Sequence, residues 1–211
     1  MFIKNFFADY RRIYKSTQGN KLLKFFRIWF VPSLHITFVY RLGHSFSKIW
    51  PPFSWLLLII YLPAVLIIRV LYNTTLPMKA KIGPGFIILH PGAIFIHPGV
   101  VIDKDVTIGA QVIIGAVRLS DQKYPQISNN VLIGSGAKVL GPIRVNHHTT
   151  IGANTVVLKD TPASSVVVGN PGRVIKVNKP QRRTGRPPRR PQQRNSNARI
   201  HSDKRSGIIH V

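Results

Sequence analysis

Aliphatic side chains recur at every sixth position through the middle of this chain. They form three runs: Ile82, Ile88 and Ile94; then Ile96, Ile102, Ile108 and Ile114; then Ile127, Ile133, Val139, Val145, Ile151 and Val157. The residue after each of them is often glycine, aspartate or asparagine, which tolerate tight turns. A six-residue period fits neither an α-helix nor an alternating strand. It is typical of a β-helix, in which each hexapeptide forms one flat side of a triangular coil. The pattern therefore predicts a mainly β domain of hexapeptide repeats.

The period is interrupted after Ile114. Thirteen positions separate Ile114 from Ile127 where six are expected, so seven extra residues leave the coil as a loop. This loop contains residues 118–125, and loops that project from a rigid scaffold commonly carry function. We interpret it as the single break in the period.

Residues 1–76 have a different pattern, which predicts a helical region. Aromatic and basic residues are mixed in 2–7 and in 22–30, as in an amphipathic helix that faces either a core or a membrane interface. No charged side chain occurs from residue 49 to residue 68, which predicts an apolar helix over 53–72. Three prolines disfavour a bilayer-spanning helix, so burial and membrane-surface contact are the main alternatives. The charges among the first apolar residues do not fit a secretory signal peptide.

The amino-acid composition excludes or disfavours several kinds of catalytic and binding site. The chain has 211 residues, with 30 lysines and arginines against 6 acids and a formal net charge of +24. It has no cysteine, so thiol nucleophiles, disulfides and cysteine-ligated metals are excluded. All the acids are aspartates, and only Asp103 and Asp105 are close in sequence, which disfavours paired-carboxylate hydrolysis. No metal site is predicted, and the lack of cysteine is compatible with the cytoplasm.

The positive charge is concentrated at the two ends of the chain. Twelve lysines and arginines lie in 1–81, six in 82–172 and twelve in 173–211. Residues 178–211 are rich in proline, arginine and glutamine, which predicts a disordered basic tail. Such a tail suits nucleic acid, anionic lipid or an acidic partner. No aromatic residue lies among its arginines, which disfavours nucleic acid, and a solubilising role is the simplest interpretation.

Several strings in the coil resemble a known family. They are Lys-Ile-Gly-Pro-Gly at 81–85, Leu-His-Pro-Gly-Ala-Ile at 89–94, Ile-Gly-Ser-Gly-Ala-Lys-Val-Leu-Gly-Pro-Ile at 133–143 and Val-Gly-Asn-Pro-Gly-Arg-Val-Ile at 168–175. With them, residues 82–177 resemble the serine O-acetyltransferase group of hexapeptide-repeat acyltransferases, including short members associated with polysaccharide synthesis. Segments 32–35 and 40–44 resemble the helical cap of that group. The resemblance implies a left-handed parallel β-helix over 77–177, behind an N-terminal helical region over 1–76.

The resemblance implies acetyl transfer from acetyl-CoA to an acceptor hydroxyl. His90 occupies the family's catalytic position, where it would act as the general base, a task that suits an imidazole at neutral pH. From the residues alone His97 is an equal candidate, because it also lies in a His-Pro-Gly turn. His35 and His44 are expected to pack in the cap, and the pair at 147–148 is expected to face solvent.

The resemblance also implies a site for CoA in a groove between neighbouring subunits of a homotrimer. The positions that match the family's CoA wall are Gly115, Ala116, Ser135, Gly136, Ala137 and Ala153, with Lys138 and Arg173 as cations for the phosphates. Small residues at coil corners are also required by the fold itself, with or without a ligand.

The sequence departs from the family where serine would be bound. Leu89 replaces the aspartate that precedes the catalytic histidine, Thr75 replaces another aspartate, and Tyr124 replaces a loop histidine. Asp9 is the only acid upstream of the coil. The ammonium of serine needs an anionic partner in a dry site.

Three functions therefore remain open. The first is serine O-acetylation, as in cysteine biosynthesis. The second is O-acetylation of a sugar in polysaccharide or glycolipid synthesis, and the third is a catalytically idle, membrane-bound scaffold. In each case we expect the protein in the cytoplasm, either free or at the inner face of the membrane.

Overall fold

The computed structural model describes residues 2–47, 51–118 and 120–178, with the side chains of residues 51–58 and 60 left aside. The basic tail predicted over 178–211 lies outside the described residues, apart from Asn178 at its start.

Four helices precede the coil. They are α1 (Phe2–Ser16), α2 (Lys21–Trp29), α3 (Pro32–Phe46) and α4 (Pro51–Tyr72), and together they are called the cap below. Helix α4 continues through Pro63 and Arg69 to Tyr72. Within the described part of the chain no single helix is both long and apolar enough to cross a bilayer. Helices α2 and α3, bent by 58° at their junction, meet that test only when taken as a pair.

Fifteen short strands follow, and fourteen of them form the three faces of a coil. The first face holds β1 (Thr74–Thr75), β4 (Ile94–Ile96), β7 (Ile113–Gly115), β10 (Lys138–Leu140) and β13 (Val156–Val157). The second face holds β2 (Lys81–Ile82), β5 (Val101–Ile102), β8 (Gln126–Ile127) and β11 (Arg144–Val145). The third face holds β3 (Ile87–Ile88), β6 (Thr107–Ile108), β9 (Leu132–Ile133), β12 (Thr150–Ile151) and β14 (Ser165–Val168). These strands pair in parallel, and β15 (Arg173–Val177) closes the third face by pairing antiparallel with β14.

This architecture confirms the predicted left-handed parallel β-helix. The aliphatic residues of the six-residue period are buried and stack on one another from coil to coil. For example, Ile108 pairs with Ile133, which pairs with Ile151, and each of the three is at most 1% exposed. Stacked aliphatic columns of this kind give the coil a continuous apolar interior.

Strand pairing also locates the irregularities of the period. Ile96 pairs with Ile114, eighteen positions later, which is the regular coil length. Ile102 pairs with Ile127, twenty-five positions later, so the seven-residue insertion of the loop is confirmed. The first coil is also irregular, because Ile88 pairs with Ile108, twenty positions later. The interpretation of a single break is therefore wrong: a second insertion, of two residues, lies in the turn at 89–93.

A buried ion pair joins the cap to the first coil. Asp9 of α1 and Arg41 of α3 lie 3.0 Å apart, and both side chains are almost completely buried. The Asp9 carboxylate also accepts hydrogen bonds from the N–H groups of Gly85 and Phe86, at 2.7 and 2.9 Å. Arg41 donates to the carbonyls of residues 82–83. Burial raises the pKa of Asp9 above its ordinary value, against the opposing effects of Arg41 and these two N–H groups.

Candidate active site

His90 lies in the turn between β3 and β4, on the edge where the third face of the coil meets the first. Its imidazole is exposed and has no hydrogen-bond partner among the described residues. Space is open beside it, because a Cβ added at Gly92 would meet nothing within 4 Å. The Leu89 N–H donates to the Ile108 carbonyl at 2.9 Å, and the Gln111 N–H donates to the Gly92 carbonyl at 2.7 Å. The two-residue insertion therefore presents an accessible imidazole on a fixed backbone.

Backbone N–H groups form a line along the same edge of the coil. The next three corners on this edge are residues 109–111, 134–136 and 152–154. At each corner the first N–H donates to the following coil and the third N–H donates to the preceding coil. The N–H of the middle residue, which is Ala110, Ser135 or Ala153, has no partner in the described part of the chain. Since neighbouring coils are about 4.8 Å apart, these donors form a ladder beside His90 that suits carbonyl or anionic oxygens.

Several of the predicted CoA residues lie on this edge, and the structure gives them different environments. Ser135 is exposed at a corner, and Lys138 donates from its ammonium to the Gly136 carbonyl at 3.3 Å. A positive charge therefore lies next to the ladder. Ala137 is fully buried in the coil, and its N–H and carbonyl are both hydrogen-bonded within the protein. Arg173 is exposed at the start of β15, just past the last corner.

Gly136 is required by the tight stacking of this edge. Its φ is +74°, in the left-handed region. A Cβ at this position would lie 1.9 Å from Oδ1 of Asn154 in the next coil. Only glycine fits this corner without displacing its neighbour.

Gly115 and Ala116 lie on a different edge, between the first and second faces. A Cβ added at Gly115 would lie 3.5 Å from the Cβ of His97. The ring of His97 stacks on that of Tyr124, with centroids 4.1 Å apart and planes inclined by 14°. The loop therefore folds back over this second edge. In a single chain, the predicted CoA residues are thus divided between the two edges of the first face.

His97 is held in a state that does not suit a general base. Its Nδ1 accepts a hydrogen bond from the Gly99 N–H at 3.1 Å. In the neutral imidazole the proton then resides on Nε2, which becomes a donor. The stacked Tyr124 ring also covers one side of the imidazole. Geometry therefore separates two histidines that the residue pattern alone leaves equal.

Among the remaining histidines that the structure describes, two pack in the cap and two lie on the surface of the coil. Nδ1 of His35 lies 3.0 Å from the Tyr72 hydroxyl, and Nε2 lies 2.6 Å from the Trp29 carbonyl oxygen. His44 lies 2.8 Å from the Met78 carbonyl oxygen and stacks on Tyr40. The pair at 147–148 is exposed at a coil corner.

The structure also bears on the missing partner for an amino-acid ammonium. Asp9 is fully buried and its carboxylate is bonded to Arg41 and to two backbone N–H groups. It is therefore unavailable to a ligand. Leu89, beside the imidazole, is about half exposed and presents an apolar surface. This edge therefore holds the His90 imidazole and N–H donors, with the uncharged side chain of Leu89 directly before the histidine.

Sequence reasoning missed two features of the site. The first is the N–H of Ala110, the donor in the corner next to the His90 turn, which becomes visible only when backbone hydrogen bonds are counted. The second is the two-residue insertion that carries His90. Its signal is present in the sequence, since Ile94 ends one run of the six-residue period and Ile96 begins the next only two residues later.

Comparisons with known proteins agree with this description. The family model described as "Bacterial transferase hexapeptide (six repeats)" matches residues 124–159. A serine acetyltransferase of Mycobacterium tuberculosis is 35% identical over 154 residues, which are 72% of this chain and 65% of the relative. A serine acetyltransferase of Staphylococcus aureus is 44% identical over 98 residues, 46% of each chain. The chain thus spans less than two thirds of the length of these curated relatives.

Solved structures match over a larger share of the chain. The serine acetyltransferase of Brucella abortus in complex with coenzyme A has a TM-score of 0.72 at 25% identity, covering 84% of this chain and 69% of that one. The soybean serine acetyltransferase apoenzyme has a TM-score of 0.70 at 24% identity, over 82% and 69% of the two chains, and supports the fold alone. Together with the hexapeptide coil, these matches show that the chain is a hexapeptide-repeat protein whose sequence and fold are similar to those of serine acetyltransferases.

Proposed function

We propose that the protein is an acetyl-CoA-dependent O-acetyltransferase of the serine acetyltransferase type. The observation that carries the proposal is the accessible imidazole of His90 beside a ladder of unpartnered backbone N–H groups. A base and a set of oxyanion donors on one rigid edge are the two groups that acyl transfer to a hydroxyl requires. The relatives are named serine acetyltransferases, and this name describes a reaction of the same kind.

His90 performs the proton transfers in this proposal. Acetyl-CoA supplies the acetyl group as a reactive thioester. The imidazole of His90 accepts the proton of the acceptor hydroxyl while its oxygen bonds to the acetyl carbon. The N–H of Ala110 or Ser135 donates to the oxygen on which negative charge develops. The carbon–sulfur bond then breaks, and the proton held by His90 passes to the departing sulfur, so that the products are an acetyl ester and free CoA.

CoA is proposed to lie along the ladder edge. The N–H groups of Ser135 and Ala153 are suitable donors for amide carbonyls of the pantetheine arm. Lys138 and Arg173 provide positive charge for the phosphates. Gly136 lets the corner stack closely on Asn154 of the next coil, which keeps the neighbouring N–H groups in line. Ala137 contributes from within the coil, as the buried residue that supports the corner.

We further propose a homotrimer, in which the first face packs on a neighbouring subunit. The outward residues of this face are in register, with Phe95 beside Ile113, Ile113 beside Lys138 and Lys138 beside Val156. Phe95 is 64% exposed in the single chain, which is costly for an aromatic side chain on a flat sheet. The two edges of this face would then meet around a cyclic ring. Gly115 and Ala116 of one subunit would thereby lie near the His90 edge of its neighbour.

Light scattering tests the assembly. The wild type should have the mass of a trimer, and the Phe95→Ser, Ile113→Ser variant should have a lower mass at equal concentration. Gln126→Ser, on the second face, is the matched control and should remain a trimer. A wild-type monomer at assay concentration would contradict the shared groove.

The acceptor is proposed to be a small molecule with a free hydroxyl, either serine or a sugar. The names of the relatives favour serine as the acceptor, whereas an observation on the acids of this chain favours a sugar. Asp9 is committed to Arg41, and Leu89 and Thr75 replace acids of the family, so no carboxylate of this set can pair with an ammonium. A sugar hydroxyl carries no charge and needs no such partner.

Acceptor profiling tests the function and separates the two acceptors. Purified protein with acetyl-CoA should release free CoA in the presence of serine or of sugar acceptors. Leu89→Asp should raise turnover of serine specifically if serine is the native acceptor, and should give no gain if a sugar is. Folded, trimeric protein that releases no CoA with any acceptor would contradict the enzymatic proposal and favour the idle scaffold.

The protein is finally proposed to work in the cytoplasm in contact with a membrane surface. The support is the excess of exposed apolar and basic side chains in the cap.

A further inference from the structure

Helix α2 turns its apolar stripe away from the protein. An amphipathic helix on a soluble domain normally buries its apolar stripe in the core. In α2 the only buried residue is Ile28. The stripe at helical spacing, continued by Phe30, is instead between 51% and 81% exposed, and it consists of Leu22, Phe25, Phe26, Trp29 and Phe30.

The opposite side of α2 contacts the rest of the cap. Lys24 is half-buried, with its ammonium 5.4 Å from the centre of the Tyr14 ring of α1. Ile28 packs in a small cluster with Ile13 and Leu34. These contacts fix the orientation of α2, so the exposure of its aromatic side chains is a property of the packed structure.

The second half of α4 carries a further set of exposed apolar residues. Its exposed apolar residues, each more than half exposed, are Ile59, Leu62, Leu66, Ile67, Val70 and Leu71. His35 connects the ends of the two helices, because its two ring nitrogens contact the Trp29 carbonyl and the Tyr72 hydroxyl. The C-terminal ends of α2 and α4 therefore lie on the same side of the cap. We call the exposed apolar residues named above, those of α2 with Phe30 and those of α4, the apolar surface.

Charge identifies the kind of partner. Lys21 and Arg27 are exposed on α2, and Arg69 is exposed on α4. Asp9 is the only acid in the first 102 residues, and it is buried in the ion pair with Arg41. The cap thus offers apolar and basic side chains with no exposed acid in its described part. A second copy of this surface would bring like charges together, whereas an anionic lipid surface supplies the missing negative charge.

We propose that the apolar surface docks the protein onto an anionic bilayer, with Phe25, Phe26 and Trp29 inserted among the headgroups. This deepens the membrane contact proposed above by assigning it to α2 and α4 and by naming anionic lipid as the partner. Docking through the cap uses none of the residues of the coil edges, including His90. The enzyme would then meet acceptors presented at the membrane surface.

Vesicle binding by the full-length protein tests this assignment. The wild type should sediment with vesicles of phosphatidylglycerol and phosphatidylcholine, and much less with phosphatidylcholine alone. The Leu22→Ser, Phe26→Ser, Phe30→Ser variant should bind at least about tenfold more weakly, because three apolar side chains no longer leave water. The matched control is Val174→Ser, Ile175→Ser, Val177→Ser, which removes three exposed apolar side chains from β15 and should bind like the wild type.

Fluorescence distinguishes docking through α2 from attraction of the basic tail. A Trp50→Phe, Trp55→Phe variant retains Trp29 as its only tryptophan. Its emission should shift to the blue on anionic vesicles and be quenched by brominated acyl chains. Binding without quenching would overturn the proposal in favour of the tail. A doubling of the assembly's mass that the α2 substitutions abolish would overturn it in favour of a second copy.

Turnover in solution separates this inference from the proposed reaction. The α2 variant should release CoA with a soluble acceptor at the wild-type rate, since none of its substitutions lies in the coil. If the variant keeps both its turnover and its vesicle binding, the docking assignment fails while the proposed reaction stands.

Discussion

The coil and the cap reach stable structures in different ways. In the coil each residue position repeats its environment one coil later, which is eighteen residues in a regular coil, so a buried aliphatic stacks on another buried aliphatic. In the cap no period constrains the sequence, and the Asp9–Arg41 ion pair joins α1 and α3 to the first coil together with hydrogen bonds of Arg12, Ser33 and Tyr40. The coil is therefore stabilised by many equivalent contacts, and the junction with the cap by a few specific ones.

The same contrast applies to the outer surfaces. The exposed apolar side chains of the coil include Phe95 and Ile113 of the first face, which the proposed trimer would cover, whereas α2 exposes nearly its whole apolar stripe. Burial within the repeat accounts for the interior of the coil, but the stripe of α2 is left for the proposed membrane contact to cover. The comparison indicates that the repeat fixes the position of the His90 edge, while the proposed membrane contact depends on the exposed stripe of α2.

The largest stability effect is expected at the junction. Arg41→Ala would leave the Asp9 carboxylate buried without its cation and would remove the donors to the carbonyls of residues 82–83. Breaking a buried ion pair on one side costs about 3–5 kcal/mol. Denaturant unfolding should show this loss. The control is Arg11→Ala, at an exposed position of α1, which should change the free energy of unfolding by less than about 0.5 kcal/mol. Similar values for both variants would mean that the ion pair does not hold the cap.

A pair of adjacent residues tests the stacked interior of the coil. Ile133 is 1% exposed and faces inward, whereas Leu132 is 40% exposed and faces outward on the same strand. Ile133→Ala should lower the free energy of unfolding by about 2–4 kcal/mol. Leu132→Ala should lower it by less than about 1 kcal/mol. The two values, measured by chemical denaturation, would coincide only if the inward column did not carry the stability of the coil.

A smaller effect is expected at the corners. Gly136→Ala would strain a left-handed backbone and force its Cβ against Asn154, at a cost of about 1–3 kcal/mol. Gly169→Ala also strains a positive φ, +98°, but its Cβ would meet no atom closer than 3.5 Å, so it should cost less. Thermal unfolding of the two variants provides the comparison. An equal or greater loss for the Gly169 variant would show that crowding between coils does not add to the cost at Gly136.

The sequence predicts the coil better than the cap because its period encodes contacts directly. Ile108 and Ile133 can be matched by counting, and the strand register agrees with the count. Asp9 and Gly85 are 76 positions apart and follow no repeat, so their contact could not be predicted. The outward orientation of α2 was equally inaccessible, because the same pattern suits a helix that faces a core.

The candidate site also has features that the sequence indicates and features that only the structure shows. His90 as the base is a prediction from resemblance to a family, and the residue pattern alone does not separate it from His97. The structure distinguishes the two imidazoles by the hydrogen bond from the Gly99 N–H to Nδ1 of His97 and by the Tyr124 ring stacked on His97, neither of which the residue pattern indicates. The ladder donor at Ala110 is invisible in sequence because it belongs to the backbone.

The most direct test of the proposed reaction is the rate of acetyl transfer by His90→Ala, measured beside His97→Ala. Loss of a positioned general base should lower the rate for His90→Ala by about a hundredfold or more. His97→Ala should have a much smaller effect, because its ring is stacked and hydrogen-bonded within the protein. CoA binding should persist in both variants, since neither imidazole is assigned to it. Equal rates for the wild type and His90→Ala would contradict the assignment of His90 as the catalytic base, whichever acceptor is used.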